Sequence, residues 1–422
     1  MTITHQPGAI VVGGYVNALG VVRALASHGV RVAVVPTRAF DVAQYSRDVV
    51  ESLPLFDFHE RPDCLLELLE REARRFEGWA VYATNDHALE VLSQNHEKLE
   101  RSYRLTCAPW ETVRPLLQKD ETYRIAADLG IDVARVYGAA DAGAEARDDL
   151  RFPVVVKPVE GHVFSERFGC KLFVATTPEE LRSRCATVAE AGIRAQILDW
   201  IPGRDDAIYC FSTYLDARGE PVAGMPIRKL RQSPPFIGVA RAAETTPDRP
   251  DVREATIELL RRVGYHGMAD AQFKLDPTDG RMRLLEVNAR PVLYNGLTRR
   301  AGVDLAHVAW IERVLGARPV AAPNGWRGVW LNLHADLLYS LLFSRVERLG
   351  VRGFLAPYLR PRTHAVWSAR DPRPFLVQWS RSGRDAVKTV VQPSLRASIR
   401  SRVAPITPGS FDALIGPARP AR

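Results

Sequence analysis

ADAQFKLDPTDGRMRLLEVNARP, residues 269–291, alternates on either side of a turn at Pro277–Gly280, as the two strands of a hairpin would. In a strand, residues two apart face the same way. Asp270, Gln272 and Lys274 therefore share one face of the first strand. Glu286 and Asn288 share one face of the second, and Arg290 continues it. A carboxylate and two amides converging on one surface suit a hard cation such as Mg2+, which takes oxygen ligands and keeps phosphate oxygens as partners. Taken alone the signal is weak, because polar faces on hairpins are common.

Upstream segments supply what such an ion would work with. FPVVVKP (152–158) is a β-branched strand that ends on Lys157, where an ammonium would emerge beside a phosphate chain. EGHVFSERFGCK (160–171) carries Gly161 and Gly169 and reads as a mobile loop that would cover a triphosphate and exclude water. The strand RAQILDWI (194–201) runs into Pro202-Gly203, and its exposed backbone groups suit an adenine edge. Asp205 and Asp206 follow, placed for ribose hydroxyls, and Lys229 and Arg231 lie further along. A helix over 119–130 starts at Lys119 and closes at Gly130. Thr177 caps a helix with Pro178 in its first turn. With a hairpin over 207–227 and a helix over 251–263, the middle of the chain reads as α+β.

The opening differs. AIVV (9–12), VRVAVV (30–35) and WAVYAT (79–84) are buried strands. They alternate with helices, the first capped by Asn17 and a later one following Asn85-Asp86. Alternation of this kind predicts a parallel sheet with crossover helices, ending near residue 112. Gly13-Gly14-Tyr-Val-Asn-Ala-Leu-Gly20 lacks GxGxxG spacing, and no acid follows the second strand to hold a ribose, so a dinucleotide site is not expected. A phosphate-binding GxxxxGK[ST] loop is absent as well.

Composition bounds the rest. With 422 residues, 46% hydrophobic and 25% charged, the chain is a multidomain globular protein and not a disordered one. Its five cysteines form no CxxC pair, which argues against a disulfide framework or zinc knuckle. Neither a signal peptide nor an apolar run of transmembrane length is visible, so a soluble, cytoplasmic protein is expected. The 57 basic residues are 7 Lys and 50 Arg, and five of the lysines fall between 119 and 274. The net charge of +8 would suggest a polyanion partner. Residues 326–422 alone hold 16 basic against 5 acidic residues, leaving the remainder near neutral. With no recognisable nucleic-acid motif, no nucleic-acid partner is expected. Residues 336–362 are apolar and basic, and a peripheral membrane contact there competes with simple packing onto the body. The final 20 residues are expected to fray.

The order of Lys119, Lys157, Gly-bearing segment, acidic hinge, basic strand and Gln…Glu-x-Asn-x-Arg resembles the ATP-grasp superfamily over about residues 1–320. The resemblance implies an α/β and α+β protein. A Rossmann-like domain (1–112) would precede an ATP-grasp fold of two α+β subdomains (113–192 and 193–325), followed by a basic Trp/Arg-rich region (326–422). The segments SRDVV, TNDHALEVL, KPVEGH and KLRQSP look like the stand-alone carboxylate–amine ligases of the D-aspartate ligase type. Gln272 with Glu286 and Asn288 is most similar to the metal set of carbamoyl-phosphate synthase-type members.

The roles implied are as follows. Lys119 and Lys157 hold the α- and β-phosphates of ATP, and Leu198, Asp199 and Ile201 line the adenine hinge. Asp199 stands where the family usually has Glu. Asp206 meets the ribose and Lys229 the β/γ-phosphates. Gln272, Glu286 and Asn288 bind Mg2+, with Mn2+ as an alternative ion, and Arg290 stabilises an acyl-phosphate. The activity implied is ATP-dependent joining of a small carboxylate to an amine, with ADP and phosphate released. A carboxylase, a kinase-like enzyme and a non-catalytic ATP-binding module are the alternatives, and a homodimer is the assembly such enzymes commonly form. His162 and Phe164 in the covering segment, Asp86 in the N-terminal domain, and Arg299 with Arg300 are candidates for substrate contacts.

Overall fold

The computed structural model describes residues 6–54, 63–319, 321, 323–347 and 349–381. The first layer is a five-stranded parallel sheet. Its strands are β1 (Ala9–Val12), β2 (Val32–Val35), β3 (Val49–Ser52), β4 (Ala80–Ala83) and β5 (Arg104–Leu105), in the order β3-β2-β1-β4-β5. β1 is buried on both faces. Ala9 and Val11 pack on one side, against α1 (Val16–Ala26), while Ile10 and Val12 pack on the other, with α2 (Cys64–Glu72) and α3 (Asp86–Gln94). Period-two side chains covered on both faces explain the uninterrupted apolar strands. Asn17 does not cap α1. It lies inside the helix, buried, and its Nδ2 donates to the carbonyls of Thr84 and Pro291, tying this layer to the hairpin downstream.

Helices α4 (His96–Glu100), α5 (Trp110–Leu117) and α6 (Lys119–Asp128) lead to a small antiparallel sheet. It contains β6 (Val136–Ala139), β7 (Val154–Pro158), β8 (Phe173–Ala175) and β9 (Ala195–Asp199), in the order β6-β9-β7-β8. Two helices belong to this layer, α7 (Gly161–Phe168) and α8 (Pro178–Glu190), and the Thr177 hydroxyl accepts from Glu180 N–H to cap the latter. α7 replaces the expected loop over 160–171. Phe164 is completely buried, with its ring 4.9 Å from that of Phe173 and 4.7 Å from that of Phe168. Burying such a ring contributes about 1.5–3 kcal/mol. Gly169, at φ +67°, closes the helix by donating to the Ser165 carbonyl.

The largest sheet has seven strands. β10 (Ile208–Leu215), β11 (Pro221–Ser233), β12 (Val239–Thr245), β13 (Gly267–Leu275) and β14 (Met282–Asn288) come from the middle of the chain. They are backed by α9 (Pro250–Arg262), α10 (Asn295–Arg300) and α11 (Leu305–Leu315). β15 (Val329–Leu331) and β16 (Arg362–His364) extend the same sheet, giving the order β14-β13-β10-β11-β12-β15-β16. Between them run α12 (Leu333–Glu347) and α13 (Val351–Leu355).

A buried ionic cluster fastens these helices. Asp336 accepts from Arg231 Nη1 at 2.6 Å and from the Tyr358 hydroxyl at 2.6 Å, while Arg231 also donates to the carbonyls of Gly353 and Phe354. Among the described residues no helix is long and apolar enough to cross a membrane. The side chains of 341–348, within the candidate membrane-surface segment, and the whole of 382–422, including the tail expected to fray, lie outside the described residues.

Candidate active site

The 269–291 hairpin forms as its alternation predicts, with Gln272 opposite Glu286 and Asp270 opposite Asn288. The register shifts after Gln272, so Leu285 is the extra residue and its carbonyl turns out of the ladder. That carbonyl accepts from Lys157 Nζ at 2.8 Å and from the Tyr123 hydroxyl at 2.7 Å. The bulge thereby brings β7 of the small sheet and α6 against the hairpin and closes one wall of a cleft of about 290 Å³.

Five of the seven lysines of the chain line this cleft: Lys119, Lys157, Lys171, Lys229 and Lys274. With Arg290 they make six cations against three carboxylates, Asp86, Asp199 and Glu286. Burial alone would raise the Glu286 carboxyl. The ammoniums of Lys171, Lys229, Lys157 and Lys119 outweigh it and hold Glu286 well below the carboxylate range. Burial pushes Lys157 down to about 8, opposed by Glu286. Lys274 is likewise lowered to about 8 by burial; its Nζ donates to the Ile201 carbonyl at 2.8 Å and sits 4.7 Å from the Trp200 ring centre. Lys119 and Lys171 are lowered from their ordinary value, chiefly by burial.

Two pairs preset the reacting end. Arg290 grips Asp86 bidentately, with Nε–Oδ1 at 2.6 Å and Nη2–Oδ2 at 3.0 Å, so a residue of the N-terminal layer aims the guanidinium. Despite burial, Arg290 and then Lys119 keep the Asp86 carboxyl below its usual value. Lys229 Nζ donates to Gln272 Oε1 at 2.6 Å, and Gln272 Nε2 donates to Asp270 at 3.1 Å. Leu198, Trp200, Phe236 and Ile237 cluster into an apolar wall of the cleft. Phe236 adopts φ +71°, strained for a residue with a side chain. Asp205 holds that turn by accepting from Phe236 N–H and from both the backbone and the side chain of Gln232.

The comparisons agree with this architecture. Residues 235–312 match the family model described as carbamoyl-phosphate synthase L chain, ATP binding domain. D-aspartate ligase of Enterococcus faecium is 24% identical over 322 residues, covering 72% of this chain and 76% of that one. Biotin carboxylase of Campylobacter jejuni, solved as a β-γ-ATP complex, superposes with a TM-score of 0.62 at 15% identity, covering 77% of this chain and 75% of the other. L-amino acid ligase of Bacillus licheniformis superposes with a TM-score of 0.55 at 16% identity, covering 74% and 75%. This is the ATP-grasp fold.

In the ATP-grasp cleft the structure brings together Lys119, Lys157, Leu198, Asp199, Ile201, Lys229, Gln272, Glu286, Asn288, Arg290 and Asp86. It leaves Asp206 outside: this residue is exposed and faces a separate groove with Arg204 and Arg228. Arg299 also lies outside the cleft, in another cavity. The side chain of His162 is outside the described residues, and Phe164 is core. Asp86 lines the cleft while paired with Arg290. Gln272 Oε1 accepts from Lys229 with one of its two lone pairs and lines the cleft beside Glu286 and Asn288. Lys171, Lys274, Trp200 and Phe236 also line the cleft, the two rings with no local sequence signal. The scarcity of lysine points to the first two.

Proposed function

We propose that the chain is an ATP-dependent carboxylate–amine ligase of the cytoplasm, acting on small molecules, an amino acid or short peptide among them. The carboxylate attacks the γ-phosphorus of ATP to give an acyl-phosphate and ADP. The amine then displaces phosphate to leave an amide. The observation that carries the reading is Glu286 ringed by four lysines, with Arg290 held by Asp86, in a cleft that also has an apolar wall.

The residues fit a nucleoside triphosphate with a divalent cation. The cations outnumber the carboxylates, as a polyanion requires. The buried Asn288 Nδ2 has no hydrogen-bond partner and offers a donor that a phosphate oxygen would satisfy. Glu286 and Asn288 would hold Mg2+, or Mn2+ in its place, and the ion when bound supplies Lewis-acid neutralisation of phosphate charge. Lys119 and Lys157 would face the α- and β-phosphates and Lys229 the β/γ-phosphates. Arg290 would steady the acyl-phosphate oxygens. These groups are positioned before reaction, so their reorganisation cost is already met by the fold. No protein nucleophile is needed. Leu198, Asp199 and Ile201 would line the base, with Trp200 and Phe236 as apolar walls.

The test is a screen of carboxylate and amine pairs for Mg2+-dependent ADP release, with bicarbonate as a separate arm. The ligase reading predicts release that needs both a carboxylate and an amine and yields an amide. Release with bicarbonate alone would replace it by a carboxylase, the activity of the enzyme from C. jejuni named above.

A further inference from the structure

Behind the hairpin lies a second cavity, of about 320 Å³, between α1, α10, β16 and the segment 365–369. Its lining contains Arg23, Arg299, Arg362 and His364 and no carboxylate. Arg23 is already engaged. It binds Asp371 through Nε and Nη2 and the Val366 carbonyl through Nη1 at 2.9 Å. Asp371 in turn accepts from the Ser46 hydroxyl and Arg47 N–H. Arg23 therefore fastens the wall of the cavity and is not free for a ligand.

The other cations are less engaged, with Arg362 Nη1 donating to the Tyr358 carbonyl. Among the described residues neither Arg299 nor Arg362 forms an ion pair. The buried Nε of Arg299 and the buried Nδ1 of His364 have no hydrogen-bond partner. Leaving a buried donor unpaired costs about 1–3 kcal/mol, and both residues line this cavity, which favours an acceptor there. Burial, and then Arg362, lower the His364 imidazole from its usual value, so at neutral pH it serves as a neutral donor beside two fixed guanidiniums. Leu293, Trp330 and Trp367 supply apolar surface in the same cavity. Asn295 Oδ1 is also buried without a partner, against α1. Gly20 makes room for it, because a Cβ there would fall 1.8 Å from that oxygen.

We propose that this cavity binds a small organic carboxylate, gripped by Arg299, Arg362 and His364, with its apolar body against Leu293 and Trp367. The planar guanidinium fork matches a carboxylate in two parallel hydrogen bonds. The site is distinct from the ATP-grasp cleft. A small void of about 20 Å³ shares Arg290 with the cleft and Gly20 and Asn295 with the cavity. It is completed by residues 362–369, which gives that part of the basic C-terminal region a ligand-binding role.

The experiment is titration calorimetry on the full chain with acetate, N-acetylglycine and benzoate, using benzamide as the neutral match and inorganic phosphate as a competing anion. At least one carboxylate is expected to bind one per chain, and benzamide at least tenfold more weakly than benzoate. Arg299→Gln and the exposed Arg362→Gln should each weaken binding about tenfold or more. Lys157→Ala, which alters the cleft, should leave carboxylate affinity unchanged. Thermal unfolding checks that each variant folds, and the exposure of Arg362 keeps at least one of them informative. Wild-type affinity in both arginine variants, absence of binding by all three carboxylates in the millimolar range, or equal affinity for phosphate would overturn the proposal.

Discussion

The cleft under Glu286 and the cavity beside Arg299 are of similar size, about 290 and 320 Å³, yet one is lined with lysines and the other with arginines. In a chain of 7 Lys and 50 Arg, five lysines in one cleft is a chemical choice. Ammoniums are compact point charges, and four of them fit within electrostatic reach of one carboxylate. They also yield to burial, as Lys157 does at about 8. Guanidiniums stay charged and present a rigid planar fork. The lysine cleft is thus suited to a flexible chain of phosphates, and the arginine cavity to a planar anion.

The largest effect that would break this contrast is loss of the charge centre. Glu286→Ala and Lys157→Ala should each lower ADP release by roughly 100–1000-fold while circular dichroism stays native. Wild-type turnover in either variant would remove the cleft from the reaction. Next comes Asp86→Asn, which keeps the side-chain shape but removes the charge that aims Arg290. It should reduce kcat roughly tenfold, in proportion to one charge-assisted contact, with the KM for ATP little changed. A change in ATP KM alone would mean that Asp86 acts on nucleotide binding.

A pH series sharpens the same point. Burial sets Lys157 and Lys274 near 8, so both are cations below that pH and lose charge above it. ATP affinity should weaken several-fold between pH 7 and 9, and Lys157→Arg should flatten part of the fall. An unchanged profile in the arginine variant would show that Lys157 does not titrate there. The smallest effect lies away from both cavities. Thr177→Ala removes the cap of α8 and should cost about 1 kcal/mol in denaturant unfolding, with ADP release unaltered.

Much of this was readable from residues that obey a local period. β1, β2 and β4 are short apolar runs that each follow closely on a glycine (Gly8, Gly29 and Gly78), and the 269–291 hairpin follows its two-residue alternation. The placement of α7 was not readable, because glycines at both ends imitate a loop. What decides it is Phe164 meeting Phe168 and Phe173, and the Phe173 contact comes from a separate strand. Asp86 and Arg290 are 204 residues apart, and nothing local announces that they pair. Arg299 follows Arg290 closely in sequence. The turn into α10 nevertheless carries it out of the cleft and into the other cavity, a change of direction that spacing alone does not encode. Asp205 and Asp206 are neighbours with opposite fates: one is buried in three hydrogen bonds, the other exposed.

The central claim is that the cleft transfers a phosphoryl group to a carboxylate oxygen before the amine attacks. The most direct measurement uses the carboxylate substrate labelled with 18O, followed by mass analysis of the phosphate released as amide forms. Because the labelled C–O bond is the one that breaks, the account predicts one 18O atom in each phosphate. Phosphate free of label, with amide still formed, would contradict it.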